Sequence, residues 1–551
     1  MTGIREREMP GRDGHAREVS PVPPELAAWI EAMWTRLITI ANECWVATYR
    51  AAYSTIVSEA LDIGCEILDR RGGSLAHGTR SIPVFNMIMP GVVNAILEKF
   101  GDEIAEGDVF VTNDPWLCAG HLPDIAVVSP VFRRRQLAAF VANVANVSDI
   151  GGNLNRPLNR DVYEEGLQIP LLKLYAKGHR VDPLWELLLA NVRTEDEVEG
   201  DIEAMIAGNQ LAGLGIAKLM DDAGLGTLDE LSDNVCILSE AAMRNAIEAI
   251  PDGVSEASWT ADGLDVPIEL KVRVEVQGSD IHVSFPDAPP QVEVGAFNST
   301  LNYTTAHVNY AMKCLIAPTI PTNMGCFRPV HVHAEPGTLL NCLRPAAVDM
   351  RTRIGWQVHP LLFGAMARFL PTAVPAGCGQ PSLLSLDGRW ADGRKFQEHL
   401  MLGAGMGAWS GGVGEDNSTF PSSAASGSIE IFEHRSPVWV VERSLVPGSG
   451  GEGRHRGGRG ESLTVRLRDG EGRSLRIVHA LERMTVAPPG LAGGGAGARA
   501  TLVRTDSHGS RPEHNRVVEL VPGDSLTVQT AGGGGYGALL AEPAQRIEGL
   551  P

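Results

Sequence analysis

The chain has 551 residues, 44% hydrophobic and 21% charged, which excludes a disordered polymer and leaves ample material for buried cores. With 47 basic and 67 acidic residues the formal charge is −20, which argues against binding nucleic acid or an anionic membrane surface. No run of about 18 apolar residues occurs, so no membrane-spanning helix is expected.

At about 150 residues per domain, this length predicts about three to four domain-sized units. Residues 1–22 are polar without an apolar signal core and are expected to form a disordered tail. The eight cysteines are scattered and include no C-x-x-C pair, so free thiols and a cytoplasmic location are expected. From Pro24, apolar residues at three- to four-residue spacing (Leu26, Ile30, Met33, Leu37, Ile40) predict a long helix. Toward residue 70 the pattern turns to alternation, and ALDIGCEILDRRGG reads as a strand and hairpin. GDVFVTNDP is a short strand ending in a polar turn. DIAVVSPVF and QLAAFVANVANVSDIGG are continuous apolar runs, as expected of a buried hairpin in a central sheet. Arg133, Arg134 and Arg135 between them read as a solvated turn rather than an anion site.

Residues 184–250 are again helical in pattern, with Thr227 and Ser232 or Asp233 as local caps. LKVRVEVQG and DIHVSFPDAP form a hairpin around Gly278, and TLNYTTAHVNYAMKCLIA is a buried helix. RPVHVHAEPG is a strand, and RIGWQVHPLLFGAMARFL another helix. From residue 427 the chain reads as β, beginning with IEIFEHRSPVWVVERSLV. The clusters GSGGEGRHRGGRG, GLAGGGAGA and AGGGGYG read as turns between its strands, since none continues as a P-loop into a helix. The expected fold is mixed α/β (α+β): a catalytic core over 23–426 with helical insertions, and a Gly-rich β region over 427–551 packed on it.

Three segments carry candidate chemistry. In GHLPD, His121 and Asp124 lie three apart at the start of an apolar strand, as a shared metal ion or a capped turn would have them. Asn113 and Asp114 end the preceding strand. Asn146 follows His121 by 25 residues, a distance over which a strand hairpin returns to the same end. Asp149, before Gly151-Gly152, is placed to ligate, to cap a turn or to hold a ligand. His331 and His333 share one face of a strand near Glu335, which suits a metal pair or a solvated edge. Cys118 reads as a packed thiol. No nucleophile elbow, dinucleotide fingerprint or zincin motif is present.

The segments GDVFVTNDP, GHLPDIAVVSPVF, SDIGG, YEEGLQIPLLKL, IPTNMGCFRPV, RPAAVDMRTR, GSGGEGRHRGG and GGGGYG together resemble the hydantoinase B/oxoprolinase family over roughly residues 24–545. The wording around Trp116 is especially similar to the large subunit of acetone and acetophenone carboxylases; typical hydantoinases have Tyr there. The resemblance implies a hydantoinase A-like partner that carries the ATP site and activates the substrate. It implies a divalent metal (Zn, Mn or Mg) on the B-type chain. The family's metal pattern falls on His121, Asp124 and a histidine at position 146, where this chain has Asn146. An amide oxygen holds zinc more weakly than imidazole does. Asp114 and Asp149 are the carboxylates assigned to catalysis. The implied activity is opening of a cyclic amide (hydantoin, lactam or 5-oxoproline). The alternatives are carboxylation of a ketone and a structural subunit with a degraded metal site.

Overall fold

A computed structural model describes residues 24–539 apart from 86, 264 and 265. The expected tail over 1–22 therefore lies outside the described residues. The first long helix, Pro24–Ala51, has proline at its start, where no backbone N–H is needed, and Glu25 in its first turn and Arg50 in its last suit the helix dipole. Its Ile30, Leu37, Ala41 and Cys44 are fully buried. It packs on the Glu195–Asp222 helix, where Gly208 allows close approach: a β-carbon there would lie 3.0 Å from the Cys44 carbonyl oxygen and 2.4 Å from Thr48 Oγ1.

These helices cover one face of a seven-stranded antiparallel sheet. Its strands are β1 (Ile63–Asp69), β2 (Ser74–His77), β3 (Val109–Thr112), β4 (Asp124–Arg133), β5 (Gln136–Asn146), β6 (Leu172–Ala176) and β7 (His179–Arg180), in the order β2-β1-β5-β4-β3-β6-β7. The Met89–Phe100 and Leu301–Ile316 helices contribute to the core on the other face. Coverage on both faces explains why β4 and β5 are continuously apolar rather than alternating. The β4–β5 hairpin turns at Arg134 and Arg135, both at positive φ, a pairing that matches the right-handed strand twist. Arg133 is not simply solvated: its Nε donates to Asp221 Oδ1 at 3.0 Å and its Nη1 to the Leu225 carbonyl at 2.6 Å.

A second sheet holds β8 (Gly253–Ala261), β9 (Ile268–Gln277), β10 (Asp280–Ser284) and β11 (Val330–His333). The last two sheets form a sandwich. One contains β12 (Ser382–Trp390), β13 (Lys395–Leu402), β16 (Gly472–His479) and β19 (Val517–Leu520), in the order β13-β12-β16-β19. The other contains β14 (Val438–Leu445), β15 (Glu461–Leu467), β17 (Thr501–Asp506), β18 (Gly509–Pro512) and β20 (Ser525–Gln529), in the order β14-β15-β20-β17-β18. Leu384, Leu386, Val465, Ile477 and Val528 share the core between them. Strands from before and after residue 427 thus pair in one sheet.

Several local expectations are corrected. IEIFEHR is a helix, Ile429–Arg435, because Ser428 caps it by accepting from Ile431 N at 3.3 Å and Phe432 anchors it in the core. Ser232 is no cap: it is buried inside the Asp229–Glu248 helix and donates to Asp69 Oδ2 at 2.7 Å. RIGWQVHPLLFGAMARFL is two short helices, Thr352–Gly355 and Val358–Met366.

The glycine clusters are not turns but extended segments lying side by side. Gly451 N donates to Gly533 O at 2.8 Å, Gly533 N to Gly458 O at 2.9 Å and Gly535 N to Gly495 O at 2.9 Å. A β-carbon on Gly458 would fall 1.8 Å from the Glu415 carbonyl oxygen, so backbones meet where side chains have no room. All eight cysteines are free thiols. Among the described residues no helix is long and apolar enough to cross a membrane.

Candidate functional site

Asp124 is the first residue of β4 and Asn146 the last of β5, and the hairpin register sets them directly opposite each other. The turn before β4 brings His121 back over this pair. All three are buried, with Asp124 completely so. His121 Nε2 lies 2.8 Å from Asp124 Oδ1 and 3.3 Å from Asn146 Nδ2. Its Nδ1 faces the Asp349 carbonyl oxygen at 3.2 Å, which can only accept a hydrogen bond. With the proton on Nδ1, a neutral ring presents the Nε2 lone pair to a carboxylate oxygen. Asp124 Oδ1 accepts from Nε2 only when the ring is protonated there as well. Two electron-pair donors at this separation are held together by a cation between them, either a proton on Nε2 or a metal ion.

The other Asp124 oxygen is taken by Arg351, whose Nη2 stands 2.5 Å from Oδ2. Arg351 is itself fixed by its Nε donating to the Ala119 carbonyl at 2.7 Å and by stacking 4.1 Å over the Tyr303 ring. Gly120 makes room for it: the backbone there is at φ +91°, and a β-carbon would lie 2.8 Å from Arg351 Cδ. Asp349 is oriented by Arg156, 3.4 Å away, and its amide is held by Glu165 Oε1 at 2.8 Å.

These groups line a cavity of about 90 Å³. Val84, Phe85, Trp356 and Met401 form its apolar wall, and Asp62 and His399 extend the polar one. Burial, and secondly the Asp124 charge, push the Asp62 carboxyl up to about 7. Burial raises Asp349 too, but Arg156 and His121 outweigh it and hold the carboxyl at about 2. For His121, burial and Arg351 pull downward, yet Asp124 and Asp349 carry the net shift above the ordinary value. Burial and then Arg156 lower His399 to about 4, so it is neutral, with Nδ1 at 3.2 Å from Ser385 Oγ.

A family profile described as hydantoinase B/oxoprolinase matches residues 28–539. The chain belongs to the hydantoinase B/oxoprolinase family. It is 29% identical to the B subunit of a putative D-/L-hydantoinase from Pseudomonas sp. (strain NS671), over 94% of this chain and 91% of that one. It is 30% identical to 5-oxoprolinase 1 of Arabidopsis thaliana over 91% of this chain, but spans only 41% of that longer protein. The fold matches the crystal structure of the ATP-dependent caprolactamase from Pseudomonas jessenii, with a TM-score of 0.84 at 24% identity, covering 94% of this chain and 92% of that one. It also matches nucleotide-free acetone carboxylase, with a TM-score of 0.82 at 16% identity over 93% and 76% of the two chains.

The structure thus brings His121, Asp124 and Asn146 together and sets the two carboxylates assigned to catalysis elsewhere. Asp114 closes the turn at Trp116, whose amide donates to it at 3.0 Å, and pairs with Arg344. Asp149 is occupied by Arg193, 2.6 Å away, and by the Gly151 amide at 3.2 Å. Neither lines the cavity. His331 and His333 do not share a site: His331 pairs with Asp280 and His333 with Glu335, each at 2.8 Å on an exposed strand. Asn113 is structural, donating to Leu122 O at 2.8 Å and accepting from Ile169 N at 2.7 Å. Cys118 is a packed thiol, with burial pushing it far up. Sequence reasoning missed Arg351, Asp349, Arg156, Asp62 and His399. Asp349 and Arg351 stand inside RPAAVDMRTR, a segment used as a landmark but given no role.

Proposed function

We propose that this chain is the catalytic B-type subunit of an ATP-dependent hetero-oligomeric enzyme that opens a cyclic amide, of hydantoin, lactam or 5-oxoproline type. A hydantoinase A-like partner supplies the ATP site. The observation that carries the reading is the approach of His121 Nε2 to Asp124 Oδ1 at 2.8 Å, in a buried cavity beside a fixed arginine. Two relatives are named as single subunits, the B subunit of a hydantoinase and the beta subunit of caprolactamase, which supports the assembly with a partner.

The donor set fits the family's divalent metal in part. Among the described residues no three His, Cys, Asp or Glu side chains form a group that could hold a metal ion, so the third ligand would be the Asn146 amide oxygen, after the amide is turned over. Zn, Mn and Mg are the candidates, and the amide favours the oxygen-preferring pair. A bound divalent ion would supply a Lewis acid for a carbonyl oxygen. Arg351, locked by Asp124, Ala119 and Tyr303, offers a preorganised positive charge to an oxygen that gains negative charge. The Asp349 carbonyl fixes the His121 tautomer. Phe85, Trp356 and Met401 exclude bulk water, which strengthens each of these interactions.

The test is co-purification with the A-like partner and assay of hydantoin, 5-oxoproline and caprolactam with ATP. Ring opening coupled to ATP consumption, lost in Asp124→Asn, is the expected result. ATP-dependent consumption of bicarbonate with a ketone would make the chain a carboxylase large subunit instead. Assembly without turnover on either substrate class would make it a structural subunit.

A further inference from the structure

The sheet β13-β12-β16-β19 has two unlike faces. Leu384, Leu386, Leu400, Leu475 and Ile477 on one face are sealed in the sandwich core. The opposite face forms a ladder of rungs fixed by strand register. The first rung is His399, Ser385 and Val478, all in the wall of the His121–Asp124 cavity. The second is Gln397, Asp387, Arg476 and Glu519, and the third is Lys395, Arg389 and Ser474. The outer two rungs floor an open groove of about 460 Å³, flanked by Leu154, Arg193 and Thr194. At about 3.3 Å per residue, the third rung lies only about 13 Å from the first along one continuous surface.

The charge of this groove is opposite to that of the protein. Four cations line it, Arg193, Arg389, Lys395 and Arg476, against the two anions Asp387 and Glu519, and of these Arg193 is already paired with Asp149 at 2.6 Å. Lys395 and Arg389 have no carboxylate partner among the described residues; Arg389 donates only to the Gly393 carbonyl, at 3.1 Å. Arg476 meets Glu519 loosely at 3.4 Å and keeps a buried Nε without a hydrogen-bond partner. Between groove and cavity, Gln397 Nε2 donates to the Ser148 carbonyl at 2.7 Å and His399 Nε2 lies 3.4 Å from the same oxygen, so this backbone group stands between the two chambers. Burial raises the Asp387 carboxyl, opposed first by Arg476 of the groove and then by Arg156 of the cavity wall.

We infer that this groove is the outer mouth of the buried cavity, and that it collects a small anionic ligand bearing a carboxylate or phosphate group and leads it inward past Asp387 and Ser385. The inference deepens the proposed function and rests on the same cavity, by giving the charge of what enters it. Its test needs neither turnover nor partner, so the two readings fail separately.

The test places a thiol at the inner end with Ser385→Cys in the full chain. Labelling by an anionic and a cationic methanethiosulfonate reagent is compared, with the parent protein giving the background from Cys314 and the buried thiols. The anionic reagent is expected to react about tenfold faster at low salt, and the double reversal R389E/K395E to invert the preference. Inorganic phosphate and succinate are tried as protectants; slowing by either supports the site and tells phosphate from carboxylate. A Ser385→Cys thiol that stays unreactive to both reagents means that no route exists. A preference unmoved by the charge reversal, or no protection by either anion, overturns the role of the groove. Should Ser385→Cys fold poorly, Gln397→Cys reports from the neighbouring rung.

Discussion

Replacing Arg351 with Met tests whether the cavity is held together by charge. The guanidinium and its carboxylate partner are both buried, at 3% and 0% exposure, and stand 2.5 Å apart. Methionine keeps the apolar stem but removes the pairing with Asp124, the hydrogen bond to the Ala119 carbonyl and the stacking on Tyr303. Leaving a buried carboxylate without its partner costs about 3–5 kcal/mol. The double variant R351M/D124N removes both charges and should recover about half of that loss, a coupling of about 2 kcal/mol. With several separate cores, a single unfolding free energy is ill-defined, so the readout is amide hydrogen exchange along β4 and β5. About 3–5 kcal/mol is roughly a hundred- to several-thousand-fold faster exchange there, with the amides of β15 and β20 as internal control. Unchanged exchange in R351M, or strictly additive effects in the double variant, would refute the charge-locked cavity.

Three other outcomes follow from particular contacts. Asn146→His places an imidazole where an amide now sits 3.3 Å from His121 Nε2, and should raise divalent-metal retention after dialysis by about tenfold or more; equal, negligible metal in both proteins would rule out a metal role for these residues. Glu66 is buried in β1, and burial pushes its carboxyl from 4.5 to about 8. The folded state therefore binds the extra proton, and stability present at low pH is lost as pH rises from about 4.5 through about 8. Glu66→Gln should leave melting unchanged at pH 4 and raise the melting temperature at pH 9; the opposite order would refute the assignment. Gly458→Ala drives a β-carbon to 1.8 Å from the Glu415 carbonyl and should cost about 1–3 kcal/mol or more, whereas Gly226→Ala, which meets nothing within 4 Å, should be near neutral by thermal melting.

Much of the site is legible because it is local in the chain. Two continuous apolar runs separated by an arginine-rich tip specify a buried hairpin, and a hairpin necessarily returns Asn146 to Asp124. The other half is scattered along the chain, from Asp62 and Arg156 to Asp349, Arg351 and His399, and no periodicity carries that information: Arg351, 227 positions from Asp124, reaches it while stacked on Tyr303 of the Leu301–Ile316 helix. Asp114 and Asp149 lie outside the cavity for a physical reason. A carboxylate just after a strand is equally suited to capping the turn that follows, and here the nearby amides and arginines claim both. The glycine clusters mislead because glycine permits either a turn or close backbone contact. Only the meeting of three distant segments with Gly377, Gly405 and Gly414 selects contact. IEIF alternates like a strand, and the Ser428 cap outweighs that alternation.

The departure at position 146 changes less than the loss of a histidine suggests. The inner cavity holds two ion pairs, Arg351 with Asp124 at 2.5 Å and Arg156 with Asp349 at 3.4 Å, beside the titratable Asp62 and His121. A ligating imidazole is neutral and so is an amide, so asparagine in place of histidine weakens the grip on a cation but leaves the field of the protein groups around the cavity unaltered. Charge selection at the groove, set by Arg389, Lys395 and Arg476, should then be independent of the residue at 146. The consequence is measurable in one pair of proteins. Asn146→His introduced beside Ser385→Cys should change metal retention while leaving the ratio of anionic to cationic labelling, measured in chelator, within about twofold of its parent. A larger change would mean that Asn146 itself sets the field at the inner end of the passage, and that ligand strength and charge selection are not separable in this site.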